Sequence, residues 1–323
     1  MAVLELLDLP PSSFGATDPD TVIIHPEGVT AYLTKLVASP LFWLSSDTER
    51  DSIWETSSRR LAQRSGRTGM SSLTRSFTIP LANTSPTASS LEITLHEPAL
   101  TEDNLGLKTW SSSYVLARLL PTLTSIPLPL PSHTPVLELG AGTGLVGLAA
   151  AAVWNANVVL TDLPAITPNL ARNVAANAEV LRAHGGNAVA GVLDWTDAES
   201  LQPVLSNTSG AIPACLEALI DLRASVKTTT ILAADPIYSP SHPRLLVSAV
   251  SRWLEDRGDA AASARLVLAY PVREAYLPQT ADLRERLSEV GGKGLRVLEE
   301  GEEVGRDDWD EDVRVRWSVW GWK

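Results

Sequence analysis

Residues 136–147 read VLELGAGTGLVG, and this stretch decides the fold. A short apolar run, Val136 to Leu139, ends in a turn holding Gly140, Gly142 and Gly144; a second apolar run starts at Leu145. That is a strand, a tight turn and a helix. Glycine there permits positive φ and lets a ligand approach the backbone. A dinucleotide fingerprint would place its third glycine one residue later, at Leu145. The spacing is instead E-x-G-x-G-x-G, headed by Glu138. A pyrophosphate favours a bare helix N-terminus, whereas a carboxylate just ahead of the loop suits a cationic ligand.

Downstream, NVVLTD, AVAGVLD, TTILAAD and RLVLAYP repeat the strand signature, with helical segments at 145–153, 166–184, 243–255 and 281–290. Strands alternating with helices predict a parallel sheet covered on both faces. Then LRVLEE and RVRWSVWGW follow, joined only by an acidic turn over 301–312, so they must pair antiparallel. The expectation is an α/β fold: a Rossmann-like, mostly parallel sheet of seven strands ending in an antiparallel hairpin. Alternation puts Trp320 and Trp322 on one face of that hairpin and Trp317 on the other.

Strand tips carry the polar groups. Asp162 ends NVVLTD twenty residues past Gly142, where a carboxylate accepts from both ribose hydroxyls. The bland alternative is a cap for the next helix. Asp194-Trp195 pairs an acid with an indole, a combination that holds a purine through its amino group and its face. ILAADPIY, 231–238, ends a buried strand in Asp235 and Tyr238. In an open parallel sheet all of these tips lie at one edge, where ligands bind. Tyr270, at the tip of RLVLAYP, fits either a channel wall or the core.

Upstream of the main domain, 105–323, residues 1–104 form an extension of helices and a β-hairpin that is a candidate surface for recognising a substrate. Helical spacing marks 31–42 and 51–64; SFTIPL and LEITLHEP flank a polar connection, 82–90, and predict a β-hairpin with a long tip. From 105 onward GLKTWSSSYVLARLL runs into a helix, with Ser111 or Ser112 as N-cap. A proline-rich linker, 126–135, leads to the first strand.

The 323 residues carry a formal charge of -12, which argues against nucleic-acid binding and suits a basic protein substrate. The five histidines, among them His25, His133 and His242, have no metal-ligand spacing and read as surface or capping residues, so no metal is expected. The lone Cys215 excludes an intrachain disulfide and suits a reducing, cytoplasmic setting. The N-terminus lacks a basic signal region, and the apolar run 145–154 is too short to cross a bilayer. Arg59, Arg60, Arg64 and Arg67 form a basic patch that reads as a solvated face or a contact for an acidic partner.

Trp110 in GLKTWSSSYVLA, ELGAGTGLVG, TDLPAITPNLARNVAAN, LDW at 193–195 and ADPIY together resemble the class I, seven-strand S-adenosyl-L-methionine-dependent methyltransferases. The resemblance is closest to their protein-lysine branch, methyltransferase family 16, and covers about 105–323. SRRLAQRSGRTGMSSLTRSFTI, 58–79, looks like the fungal members that methylate translation elongation factor 2. The resemblance implies that Trp110 covers the cofactor and that Gly140, Ala141 and Gly142 face its methionine portion. Asp162 would hold the ribose, Asp194 and Trp195 the adenine, and Ala234 would touch the cofactor at the fourth strand tip. Asp235 to Tyr238, a D-x-x-Y motif, would border the channel of the target lysine. Such enzymes need no partner chain to complete the cofactor site, so a monomer is expected. Two alternatives stay open. DPIY could be a variant of the D-P-P-Y motif of methyltransferases acting on adenine N6 or a glutamine amide. The fold could also be a binding module without catalysis.

Overall fold

The computed structural model describes residues 29–64, 72–81, 90–99, 105–131, 134–197, 201–203, 227–306 and 312–323. Among the described residues two helices come first, α1 (Val29–Ala38) and α2 (Asp47–Arg64), packed on each other. Leu33 and Leu41 are fully buried, and the Trp54 indole N–H donates to the Ser39 carbonyl at 2.9 Å. The expected hairpin follows as β1 (Leu73–Pro80) and β2 (Ser90–Glu97), with Phe77 opposite Ile93. Its alternate residues Phe77, Ile79, Leu91, Ile93 and Leu95 are buried in the same core as one face of the main sheet. The hairpin tip, 82–89, lies outside the described residues.

The main sheet comprises β3 (Val136–Leu139), β4 (Asn157–Asp162), β5 (Asn187–Val192), β6 (Gln202–Pro203), β7 (Thr230–Ala234), β8 (Arg265–Pro271), β9 (Leu295–Arg306) and β10 (Asp312–Trp322). Their spatial order is β6-β5-β4-β3-β7-β8-β10-β9. Strands β3, β4, β5, β7 and β8 are parallel, and β10 runs antiparallel to both β8 and β9. The seven expected strands and their antiparallel end are all present. Gln202–Pro203 adds an eighth, antiparallel to β5 at the far edge. Two residues are too few to show any periodicity in sequence.

The helices are α3 (Ser111–Leu119), α4 (Leu145–Val153), α5 (Thr167–Ala183), α6 (His242–Trp253), α7 (Gly258–Ala262) and α8 (Leu277–Glu289). Residues of α3, α4 and α5 share a core with Val136, Val158 and Leu232 on one face of the sheet. Residues of α6 and α8 share another with Leu137, Val159 and Ile231 on the opposite face. Burial on both faces explains why these strands read as unbroken apolar runs.

Two local expectations change. Neither Ser111 nor Ser112 caps α3. Trp110 does, in an extended conformation, and its carbonyl accepts from Ser113 and Tyr114 N–H. The first part of the acidic stretch expected as a turn, up to Arg306, is strand, and 307–311 lie outside the described residues. Arg316 stands opposite Glu302 and Arg314 lies diagonal to it, and both pair with that carboxylate. The indoles divide as the alternation predicts: Trp317 packs on the α3–α4 side, Trp320 and Trp322 on the other.

Strand order reverses between β3 and its neighbours β4 and β7. A crevice therefore opens at the carboxyl ends of these strands.

Candidate active site

A cavity of about 440 Å³ occupies that crevice, within the usual range for small-molecule sites. The glycine loop forms its floor, with φ of 70° at Gly140, 58° at Gly142 and 96° at Gly144. A Cβ on Gly142 would lie 3.0 Å from the Gly106 carbonyl oxygen, and one on Gly140 would lie 3.1 Å from the Trp195 ring. The loop is thus hemmed in by the segment before α3 and by Trp195, and side chains there would close it.

Asp162 ends β4 beneath the loop. Its Oδ2 accepts from Gly142 N–H and its Oδ1 from Leu163 N–H, both at 2.7 Å. The side chain therefore braces the loop and does not cap α5. Burial pushes its pKa up to about 6, against the pull of those two N–H groups. Each oxygen keeps a further acceptor direction, and the residue lines the cavity.

Asp194 lines the cavity while accepting at Oδ1 from Thr196 N–H (2.8 Å) and the Thr196 hydroxyl (2.7 Å). Trp110, Ala141, Trp195 and Ala234 line it as well. Glu138 does not. Its carboxyl turns to the α4 side, where Oε2 accepts from Gly147 N–H at 2.9 Å. Burial raises its pKa to about 8; the Gly147 bond opposes this and the charge of Asp162 adds to it. It is a structural group that keeps its proton at neutral pH, not one aimed at a ligand.

The Asp235–Tyr238 turn forms the opposite wall. Asp235 has φ 54°, a left-handed conformation that costs about 1 kcal/mol or more outside glycine. Its N–H donates to the Ala269 carbonyl at 2.8 Å, and Ile237 anchors the turn in the core. Tyr238 is half exposed at the mouth, 51%. Burial of the rest of the ring raises its phenol pKa, and the Asp162 charge adds to the rise.

His242, read from sequence as a surface or capping residue, belongs to this wall. Its Nδ1 lies 3.1 Å from the Pro236 carbonyl, and its ring meets Tyr238 edge to face at 4.2 Å between centroids. Trp195 lies 6.0 Å away on its other side. Burial lowers its pKa, against the opposing pull of the Pro236 carbonyl. Its place four residues after Tyr238, at the start of a helix following a strand tip, was the available signal. Tyr270 is 3% exposed, does not line the cavity, and its hydroxyl has no hydrogen bond among the described residues. It is a core residue; Pro271, Arg273 and Tyr276 line the cavity from that strand end.

Among the described residues no cluster could hold a metal, and no helix is long and apolar enough to cross a membrane. His25, His133, Cys215 and Arg67 lie outside the described residues, as do the side chains of Arg59, Arg60 and Arg64.

The site suits a cationic nucleoside cofactor. Asp162 offers paired acceptors to vicinal hydroxyls, Trp195 an aromatic wall, and Asp162, Asp194 and Asp235 set three carboxylates in the lining against two cations, Lys108 and Arg273.

The comparisons with known proteins agree. A lysine methyltransferase family profile matches residues 88–209. Protein-lysine N-methyltransferase rrg1 of Schizosaccharomyces pombe is 30% identical over 291 residues, covering 90% of this chain and 84% of that protein. The chain belongs to the protein-lysine methyltransferase family. Protein-lysine N-methyltransferase EFM2 of Saccharomyces cerevisiae is 35% identical over 268 residues, which make up 78% of this chain but 55% of that longer protein. Among solved structures, P. horikoshii TYW2 in complex with MeSAdo aligns over 83% of this chain and 84% of its own, at 14% identity and a TM-score of 0.41. The enzyme uses S-adenosyl-L-methionine as cofactor, and its acceptor is a protein lysine. Membership of this family sets aside the adenine, glutamine-amide and binding-module readings.

Proposed function

We propose that this methyltransferase modifies translation elongation factor 2, with the acceptor lysine entering between Asp235 and Tyr238. The target rests on residues 58–79, which look like the fungal enzymes acting on that factor, and on the 35% identity with EFM2. The entry route rests on one observation: the Asp235–Tyr238 turn borders the cavity opposite the glycine loop, and Tyr238 is half exposed there.

The cofactor, when bound, supplies a methyl group activated by a positive sulfur. The protein's part is then alignment and exclusion of water. Trp110 would cover the cofactor. Gly140, Ala141 and Gly142 would face its methionine end, Asp162 would take the ribose hydroxyls, Asp194 and Trp195 would hold the adenine, and Ala234 would leave room at the β7 tip. A lysine ammonium, with a free pKa of about 10.4, must lose a proton before its lone pair can take a methyl group. Asp235 alone would hold that proton on, and the positive charge that the cofactor supplies when bound would favour its loss to water. Asp235 and Tyr238 therefore grip and orient the amine rather than act as a strong base. His242 holds the turn they stand on.

The test is incubation of the enzyme with labelled S-adenosyl-L-methionine and an extract from cells lacking it. Label in a protein the size of elongation factor 2, lost when that factor is removed, is the expected outcome. Label in nucleic acid, or only in other proteins, would overturn the proposal.

A further inference from the structure

The hairpin β1–β2 lies outside the strand-helix repeat that builds the cavity, yet two separate chains of contacts run from it to one residue of the glycine loop. The first starts on the β2 backbone. Asn173 of α5, 1% exposed, accepts at Oδ1 from His96 N–H (2.8 Å) and donates from Nδ2 to the His96 carbonyl (3.1 Å). The same Nδ2 lies 3.0 Å from the Thr143 carbonyl. One turn on, Asn177 repeats the pattern on Thr94, accepting from its N–H at 3.0 Å and donating to its carbonyl at 2.8 Å. Residues four apart share a helix face, so α5 presents amides to β2 much as a neighbouring strand would.

The second chain starts at Glu97, the last residue of β2, which is fully buried. Its Oε1 accepts from Thr109 N–H at 3.0 Å, and its Oε2 from the Lys108 ammonium at 3.2 Å, with Arg75 Nε 3.4 Å away. Thr109 then shares a hydrogen bond with Thr143 between their hydroxyls at 2.7 Å, both side chains buried. Both routes end at Thr143, one on its carbonyl and one on its hydroxyl. Thr143 lies between Gly142 and Gly144, in a turn whose glycines have no side chain of their own to fix it.

We infer that hairpin β1–β2 is part of the cofactor site: Glu97, Thr109 and Asn173 are positioning residues that act through Thr143 to set the glycine loop for S-adenosyl-L-methionine. A buried carboxylate facing two cations and a backbone N–H also fixes Lys108 and Thr109, and with them the approach to Trp110. The N-terminal extension therefore helps bind the cofactor and is more than a surface for the protein substrate.

The test is calorimetric titration with S-adenosylhomocysteine, so it stands whether or not the acceptor protein has been identified correctly. Glu97→Gln would leave two buried cations short of charge and could unfold the protein, so the hydroxyl pair is the better target. Thr109→Val and Thr143→Val remove one buried hydrogen bond without changing shape. Each should weaken binding about fivefold, the loss expected for one such bond. Because they break the same link, the double variant should be no weaker than the worse single one. Thr109→Ser should restore affinity to within about twofold, with the melting midpoint of the ligand-free protein moved by only a few degrees. Unchanged affinity in both single variants, or losses that add in the double variant, would overturn the inference. So would a loss that simply follows the fall in the ligand-free midpoint, which would assign the link to folding alone.

Discussion

The two walls of the cavity are built differently. On the β3–β4 side, Asp162 ties Gly142 to the strand end, Thr143 is held from two directions, and these groups are buried or nearly so. On the β7–β8 side, Asp235 sits in a left-handed conformation, Tyr238 is half exposed, and the turn is held by an imidazole and a buried isoleucine. The first wall is tied together by hydrogen bonds within the protein itself, which suits recognition of a constant cofactor. The second leaves Tyr238 open to solvent, on the side where the proposal has a protein substrate enter. Strain at Asp235 fits this division, since unusual backbone conformations persist where surrounding packing enforces them. If the division is real, substitutions on one wall should separate turnover from cofactor affinity, and those on the other should not.

The sharpest break is Asp235→Ala. It should lower turnover by about a hundredfold or more, because a misplaced amine loses the benefit of alignment. Affinity for S-adenosylhomocysteine should stay within about threefold, since the cofactor wall is untouched. Full turnover in this variant, measured with labelled cofactor and the natural acceptor, would remove Asp235 from the acceptor wall.

Asp162 is the counterpart on the other side. Asp162→Asn loses the charge that strengthens hydrogen bonds to hydroxyls and also sets an NH2 where one oxygen accepts from Gly142 or Leu163 N–H, so affinity should fall about tenfold or more. The wild-type pH profile carries the same information. With its pKa raised to about 6, Asp162 is ionised above that value and gains a proton as pH falls through it. Cofactor affinity should therefore be flat above pH 7 and decline below 6, and the Asn variant should lose that decline. A decline that survives in Asp162→Asn would mean another group controls it.

What could be read from sequence follows the same division. The sheet was legible because VLEL is a short apolar run that breaks at a glycine turn, and NVVLTD and TTILAAD are short apolar runs ending in polar tips. Topology alone then brings those tips to one edge. The cofactor wall was legible because glycine spacing and an acid at a strand end are local patterns. The links to Thr143 were not, because Asn173 reaches His96 across 77 residues and a side-chain bond to a distant backbone leaves no period. His242 escaped because its role comes from ring packing against Tyr238 rather than from ligand spacing. Glu138 was misplaced for a different reason. All four residues of β3 are buried, so no polar alternation tells which side chains face α4 and which the opposite layer.

Glu138 supplies the mildest test, and one that checks where the cofactor wall ends. Its pKa rises from 4.5 to about 8 on folding. Between those values the folded protein holds a proton that the unfolded chain has lost. Stability contributed by this group is therefore full below the lower value and is lost as pH rises, by up to about 1.4 kcal/mol per pH unit. Asp162 has the same sign in a lower window, from 3.8 to about 6, and the lowered His96 and His242 act with the opposite sign below their ordinary value of 6.5, so above pH 7 the slope belongs mainly to Glu138. Glu138→Gln keeps an oxygen to accept from Gly147 N–H and has no proton to lose. Its melting midpoint should vary less than wild type between pH 7 and 8 and lie a few degrees higher at pH 8 and above. Affinity for S-adenosylhomocysteine should change by no more than about twofold, because the carboxyl does not face the cavity. A tenfold loss would put Glu138 back among the cofactor contacts and move the boundary of that wall one residue into β3.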